Sequence, residues 1–317
     1  MLRSHLASFG ANGRRHDPDT ARDTVRAIEF HLYLPQIAIT PSGLVERSRM
    51  AETSGFDGVA LIDHLDPPGA AGYPMFEAFG AATWLAAHTT RLTIAHLVLC
   101  DSFRHPSLLA RQAVTLDHLS GGRFELGLGI GSKPGDLDRF GLCRHDADTR
   151  AERLDETVRV LRGLWTGDPQ HHDGKHYHLH GAQQLPTPLH HIPLVIGGVS
   201  ERALALVRTH ADWWNVPVRP LDRLDELRRA VGEARISALF QVGLVADEST
   251  RRDTIEAATR RFGPLGTGTI IGNVDEVSQH ISALAEQGVE RCYVWFTDRA
   301  RVDTIARFGS ELIASFR

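Results

Sequence analysis

The chain has 317 residues, of which 42% are hydrophobic and 23% charged, and its formal net charge is -4. This balance is typical of a soluble globular protein and argues against a general nucleic-acid binder. No apolar run approaches the roughly 20 residues that span a bilayer. The three distant cysteines predict no disulfide framework, so we expect a cytoplasmic protein that binds neither membrane nor nucleic acid.

Residues 1–27 are polar and show no hydrophobic periodicity. They contain no apolar stretch followed by a small-residue cleavage site, so we expect no secretory signal. We interpret this segment as a flexible N-terminal arm. Residues 28–317 are expected to form a single domain.

From residue 28 onwards, short apolar segments typical of buried parallel strands alternate with amphipathic segments typical of helices. Eight strands are predicted, at 28–34, 58–62, 92–99, 124–130, 193–196, 212–216, 236–245 and 291–296. The main predicted helices cover about 42–53, 75–88, 106–120, 149–165, 200–210, 221–234, 251–262 and 274–287, and a last one begins at 302. The pattern predicts an α/β protein, and eight strands favour a (β/α)8 TIM barrel. An open doubly wound sheet is the alternative, but it would usually carry a glycine-rich fingerprint after its first strand.

Residues 168–191 interrupt this alternation between predicted strands four and five. We therefore predict an insertion there, which together with loop 67–74 would form walls of a substrate site. The segment is rich in histidine, but the spacing of the histidines matches no established metal motif. We predict no metal site.

One face of the predicted strand at 124–130 is formed largely by glycines, which carry no side chain. Gly127 and Gly129 alternate with apolar residues, and Gly131 follows directly. Glycine contributes no side-chain packing to a strand, so either a flat ligand lies against this backbone or a neighbouring segment packs closely against it. The sequence leaves both explanations open. The glycine spacing does not fit a dinucleotide-binding fingerprint.

Functional residues of a TIM barrel lie at the carboxyl ends of its strands. Asp63 and His64 follow the second strand, where a carboxylate beside an imidazole can orient it or raise its pKa, or can merely end the strand. A later strand-to-helix junction could bind a phosphate through backbone N–H groups and a hydroxyl, unless the serine is only a helix N-cap. This junction consists of Gly197, Gly198, Val199 and Ser200.

Several motifs together resemble the bacterial-luciferase-like family of flavin and deazaflavin oxidoreductases. The clearest are FRHP at 103–106, LDHLSGGR at 116–123 and GLGIG at 127–131. Supporting motifs are GFD at 55–57, DH at 63–64, LWTG at 164–167, PLVIGG at 193–198 and ADWWN at 211–215. They follow the family's order, and the resemblance extends from about residue 28 to 315.

The resemblance implies an enzyme that holds a flat tricyclic ring at the carboxyl rim of the barrel. His64, with Asp63 next to it, would lie near this ring as a catalytic residue. A non-proline cis peptide between Leu97 and Val98 would support the ring, and residues 197–200 would hold the cofactor phosphate. The cofactor tail would pass close to the backbone of Gly129, Ile130, Gly131 and Ser132.

The later motifs are most similar to the branch that uses coenzyme F420, so the resemblance implies hydride transfer between F420 and a small organic substrate. One alternative is a monooxygenase that uses reduced FMN and O2 with a separate reductase as partner. Another is a barrel that binds a ligand without catalysis. Ile37 and Ser132 replace acidic groups that F420-dependent sugar-phosphate dehydrogenases use, so the resemblance does not extend to that chemistry. It also implies a homodimer.

Overall fold

A computed structural model describes residues 28–131 and 133–317. The predicted N-terminal arm and Ser132 therefore lie outside the described residues. The strands are β1 Glu29–Tyr33, β2 Gly58–Leu61, β3 Thr93–His96, β4 Leu99–Cys100, β5 Phe124–Gly129, β6 Gln170–Asp173, β7 His178–Ala182, β8 Leu194–Gly197, β9 Trp213–Val216, β10 Arg235–Leu244, β11 Thr269–Gly272 and β12 Val289–Phe296.

Eight of these strands form a closed parallel barrel, which confirms the TIM-barrel prediction. Their order is β1-β2-β3-β5-β8-β9-β10-β12, and β12 pairs with β1 to close the ring. Successive residues of a strand point to opposite faces. In β1, Phe30 and Leu32 therefore pack outwards against the helices, while Tyr33 belongs to a smaller apolar cluster inside the barrel.

Helices surround the barrel, and local sequence signals fix their ends. The third helix begins at Pro106, where the missing N–H costs nothing, and ends at Gly121, whose φ of 67° suits glycine. The ninth begins after Asn273, which forms a capping box with Glu276. The helices are α1 Pro41–Thr53, α2 Ala78–His88, α3 Pro106–Ser120, α4 Pro134–Arg139, α5 Ala147–Trp165, α6 Glu201–His210, α7 Leu224–Leu227, α8 Arg251–Phe262, α9 Val274–Glu286 and α10 Val302–Glu311.

Several elements differ from the sequence prediction, which also lacked the short helix α4 Pro134–Arg139. The third predicted strand is divided into β3 and β4 at the Leu97-Val98 peptide bond, which is cis, as the resemblance implied. The helix predicted over 221–234 is wrong, since only Leu224–Leu227 is α-helical and 3-10 turns flank it. Its buried leucines recur every three residues, a spacing that also fits the 3-10 repeat. The short, half-buried strand β11 was not predicted; it pairs with β10 outside the barrel ring.

The segment predicted as an insertion contains the antiparallel hairpin β6-β7, which forms a separate two-stranded sheet. Two of its histidines pair with carboxylates: His172 lies 3.0 Å from Glu156 of α5, and His178 lies 2.8 Å from Asp173. Among residues 28–131 and 133–317, no three potential metal ligands come together. Within the same ranges, no helix is both long and apolar enough to cross a membrane.

Candidate functional site

The carboxyl ends of the strands surround a cavity of about 380 Å³. This volume lies in the range of small-molecule sites. Every predicted site residue that the structure describes lines the cavity, although these residues come from four separate stretches of sequence. They are Asp63, His64, Leu97, Val98, Gly129, Ile130, Gly131, Gly197, Gly198, Val199 and Ser200.

The glycines beside the cavity have a structural cause that differs from the implied cofactor tail. A Cβ atom on Gly129 would lie 2.7 Å from Cγ2 of Val98, and one on Gly131 would lie 2.9 Å from Sγ of Cys100. A Cβ on Gly127 would overlap the backbone carbonyl of His96. The segment that joins β3 to β4 therefore packs directly against β5, the second of the two explanations left open by the sequence. Gly129 and Gly131 nevertheless leave backbone exposed to the cavity.

Asp63 holds this joining segment in place. Its carboxylate accepts two hydrogen bonds from the guanidinium of Arg104, at 2.6 and 3.0 Å, and a third from the backbone N–H of Cys100, at 2.9 Å. Arg104 also donates to Glu77, which caps α2. The sequence left open whether Asp63 orients His64 or merely ends the strand. In the structure the Asp63 carboxylate is engaged by Arg104 and Cys100.

His64 is a partly exposed imidazole at the cavity wall. Its nearest carboxylate belongs to Asp136, 3.8 Å from Nδ1, which is too long for a hydrogen bond. Burial lowers the pKa of His64 below its ordinary value, and the positive charge of Lys133 adds to this effect, while Asp136 and Asp63 oppose it. A raised pKa was one of the possibilities that the sequence left open for His64. At neutral pH the ring is uncharged and can donate one hydrogen bond and accept another.

The junction between β8 and α6 presents its backbone to the same cavity. Gly198 has a φ of 122°, which favours glycine, and its carbonyl accepts a 2.9 Å hydrogen bond from the indole of Trp214. The hydroxyl oxygen of Ser200 accepts from the N–H of Ala203 at 3.2 Å, so Ser200 does cap the helix. Its own O–H remains available as a donor, and the N-terminus of α6 favours a negative group.

Two cationic residues give this end of the cavity a positive character. Lys133 and Arg150 both line it, and Arg150 is anchored by hydrogen bonds to the carbonyls of Ile130 (2.9 Å) and His145 (2.7 Å). The two lining carboxylates are Asp136 and Asp63, and Asp63 is neutralised by Arg104. Arg150 could not be singled out from the sequence, because an arginine at the start of an amphipathic helix looks like any exposed charge.

The sequence profile of the luciferase-like monooxygenases matches residues 24–262. The chain belongs to this family. Among its relatives is an F420-dependent glucose-6-phosphate dehydrogenase of Microbacterium testaceum, 32% identical over 167 residues, which are 52% of this chain and 49% of that one. This luciferase-like chain covers about half to three fifths of the length of the curated relatives it matches.

Solved structures share the fold of this luciferase-like protein over nearly its full length. An F420-dependent secondary alcohol dehydrogenase in complex with an F420-acetone adduct aligns with a TM-score of 0.78 at 17% identity, covering 92% of this chain and 99% of that one. A riboflavin lyase with modified FMN and riboflavin aligns with a TM-score of 0.80 at 15% identity, covering 92% of both chains. At these identities the likeness concerns the fold alone.

Proposed function

We propose that this protein is an oxidoreductase that transfers hydride between coenzyme F420 and a small organic substrate. The observation that carries the proposal is the cavity at the barrel mouth, which has an apolar wall at Leu97 and Val98 and a cationic end at Lys133 and Arg150. This is the combination that a flat, uncharged ring with a phosphate-bearing tail requires. F420-dependent relatives support the choice of cofactor.

The residues of the cavity fit such a cofactor. Leu97 and Val98 offer an apolar surface to one face of the ring. Gly198 and Ser200 offer an exposed backbone and a hydroxyl to the phosphate, and Arg150 supplies positive charge. A charge-assisted hydrogen bond from an anchored guanidinium is stronger than one between neutral groups, so Arg150 is expected to contribute most to phosphate affinity.

His64 is the proposed catalytic residue. When bound, F420 would supply or accept the hydride. The uncharged imidazole can hold a hydrogen bond to the ring or to the substrate without placing a second positive charge beside Lys133. Because its pKa is lowered mainly by burial, His64 stays in this form over the neutral range.

A monooxygenase that uses reduced FMN is the second candidate, and the family to which the chain belongs favours it. FMN has the same kind of tricyclic ring and ribityl phosphate, so the residues named above would hold it equally well. This alternative would need a separate reductase as partner. The homodimer, the single domain over residues 28–317 and the cytoplasmic location also stay predictions.

The test is a fluorescence titration of the purified protein with oxidised F420, FMN and riboflavin. F420 should bind in the low micromolar range or tighter, and FMN should bind better than riboflavin because riboflavin lacks the phosphate. Arg150→Met should weaken F420 and FMN binding by about tenfold, the equivalent of one charge-assisted hydrogen bond, without changing riboflavin binding. Arg252→Met, at an exposed arginine of α8 that does not line the cavity, is the control. Tighter binding of FMN than of F420 would favour the monooxygenase, and no binding of either would refute the proposal.

A further inference from the structure

The barrel mouth has a second cavity, of about 530 Å³, which the proposed cofactor site does not use. It lies at the carboxyl ends of β1 and β12, between the first turns of α1 and the last turn of α8. Four arginines line it. They are Arg47, Arg260, Arg261 and Arg299.

The protein compensates the positive charge of this cavity only in part. Arg260 lies 4.0 Å from Glu256, and the negative charge of Asp298 acts on Arg261. Among residues 28–131 and 133–317, no carboxylate forms an ion pair with Arg47, Arg261 or Arg299. The lining carboxylate is that of Asp298, whose two oxygens already accept hydrogen bonds from the N–H of Arg301 and the hydroxyl of Thr304.

Arg261 is fixed in position while part of its guanidinium stays free. Its Nη1 donates to the carbonyls of Phe296 and Thr297, both at 2.9 Å, at the end of β12. Burial lowers the pKa of Arg261 to about 10, and the nearby charge of Arg299 acts in the same direction. Two guanidinium groups thus repel each other beside an open cavity, an arrangement that a bound anion would relieve.

The backbone around this cavity is unusual. Three non-glycine residues of the described chain have a left-handed φ, and all three line the cavity: Ala38 at 51°, Arg299 at 66° and Ala300 at 55°. Side chains with this backbone conformation are uncommon and tend to occur at functional sites. Arg47 donates a 3.2 Å hydrogen bond to the carbonyl of Arg299, so one cavity arginine holds the backbone of another.

The opposite wall is aromatic and carries unused donors. Tyr33 and Trp295 line the cavity with their rings 5.2 Å apart, and the indole N–H of Trp295 is buried without an acceptor among the described residues. Burial raises the pKa of Tyr33, so its hydroxyl stays protonated and can donate. Both rings belong to the apolar cluster that also contains Leu97 and Val98 of the first cavity. The two cavities therefore lie on either side of one apolar partition.

We propose that this second cavity binds an organic anion, whose carboxylate or phosphate is held by Arg261 and Arg299 and whose apolar body packs against Tyr33 and Trp295. The anion is the substrate of the proposed oxidoreductase, and this last step rests on the proposed function. The rings of Tyr33 and Trp295 offer an apolar surface beside the arginines, so the site favours an acid with an aryl or alkyl body.

The experiment is isothermal titration calorimetry of the cofactor-free protein with benzoate, phenyl phosphate and the neutral analogue benzamide. At least one of the two anions should bind, and benzamide should not bind measurably. Whichever of the two anions binds more tightly identifies the group, carboxylate or phosphate, that the cavity recognises. Arg299→Gln should weaken anion binding by about tenfold, because the side chain of Arg299 makes no hydrogen bond to residues 28–131 or 133–317 and its loss removes one charge-assisted contact to the anion. Arg252→Gln should leave the affinity unchanged.

Arg261→Met should have a larger effect, and its thermal unfolding is measured to confirm that it still folds. Equal binding of benzamide and the anions, or unchanged anion affinity in Arg299→Gln, would overturn the inference. The F420 titration of Arg299→Gln separates the two proposals, because F420 binding at the first cavity should be unaffected. Anion binding without any F420 binding would support the second cavity while removing its role as a substrate site.

Discussion

The buried ion pair between Asp63 and Arg104 gives the sharpest test of how the cavity is held. Replacing Asp63 with Ala removes two short hydrogen bonds to Arg104 and one to the N–H of Cys100. The side chain of Arg104 is only 10% exposed and would keep Glu77 as its one carboxylate partner. Removing one member of a buried pair typically costs about 3 to 5 kcal/mol. Because Glu77 remains, we expect about 3 kcal/mol, or a fall of about 6 °C in Tm at roughly 2 °C per kcal/mol for a chain of this size.

Differential scanning fluorimetry checks this value. Asp63→Asn keeps an acceptor for Cys100 and is expected to lose about half as much stability as Asp63→Ala. Asp148→Asn is the control, since Asp148 pairs with Arg202 on the surface, where ion pairs contribute little to stability. If Asp63→Ala unfolds at the same temperature as Asp148→Asn, the assignment of Asp63 as the anchor of the β3-β4 segment is refuted.

Three further predictions concern single residues. Gly127→Ala should be severely destabilised in urea unfolding, because its Cβ would overlap the His96 carbonyl. Gly135→Ala is the control and should leave stability unchanged, because its Cβ would meet nothing within 4 Å. Equal stability of the two variants would contradict the close packing of β5 against the β3-β4 segment. His96 is buried with its pKa lowered to about 4, so below pH 6.5 the unfolded chain binds a proton that the folded chain does not. His96 should therefore lower the free energy of unfolding by up to about 1.4 kcal/mol for each pH unit between 6.5 and 4. In His96→Phe the free energy of unfolding should depend less steeply on pH, and an unchanged pH dependence would contradict this assignment. His64→Ala should slow hydride transfer by about 100-fold in single-turnover experiments while changing F420 affinity little. Equal losses in rate and affinity would show that His64 contacts the cofactor ring without a catalytic role.

The barrel could be predicted from sequence because its strands are covered on both faces and appear as short, nearly unbroken apolar runs. Phe124 to Gly129 and Leu194 to Gly197 are examples. Strand β11 was not predicted because Thr269–Gly272 is half-buried and pairs with β10 outside the barrel ring. Its hydrophobic pattern is therefore weak. The helix predicted over 221–234 failed because a spacing of three residues fits both the 3-10 and the α-helix.

The candidate cofactor site was predictable to the extent that its residues lie at strand ends. The contacts that these residues make could not be predicted, because they depend on the direction in which each side chain points. Asp63 precedes His64 in the sequence, yet it contacts Arg104, 41 positions away. The second cavity was missed for a similar reason: Arg47, Arg261 and Arg299 come from three distant segments, and each alone looks like an ordinary surface charge.

The most direct test of the central claim is a crystal structure of the protein with oxidised F420 bound. We expect the tricyclic ring to lie against Leu97 and Val98, the phosphate to lie within hydrogen-bonding distance of Ser200, and the second cavity to be free of cofactor. Electron density for the ring in the second cavity, or outside the barrel mouth, would contradict this expectation.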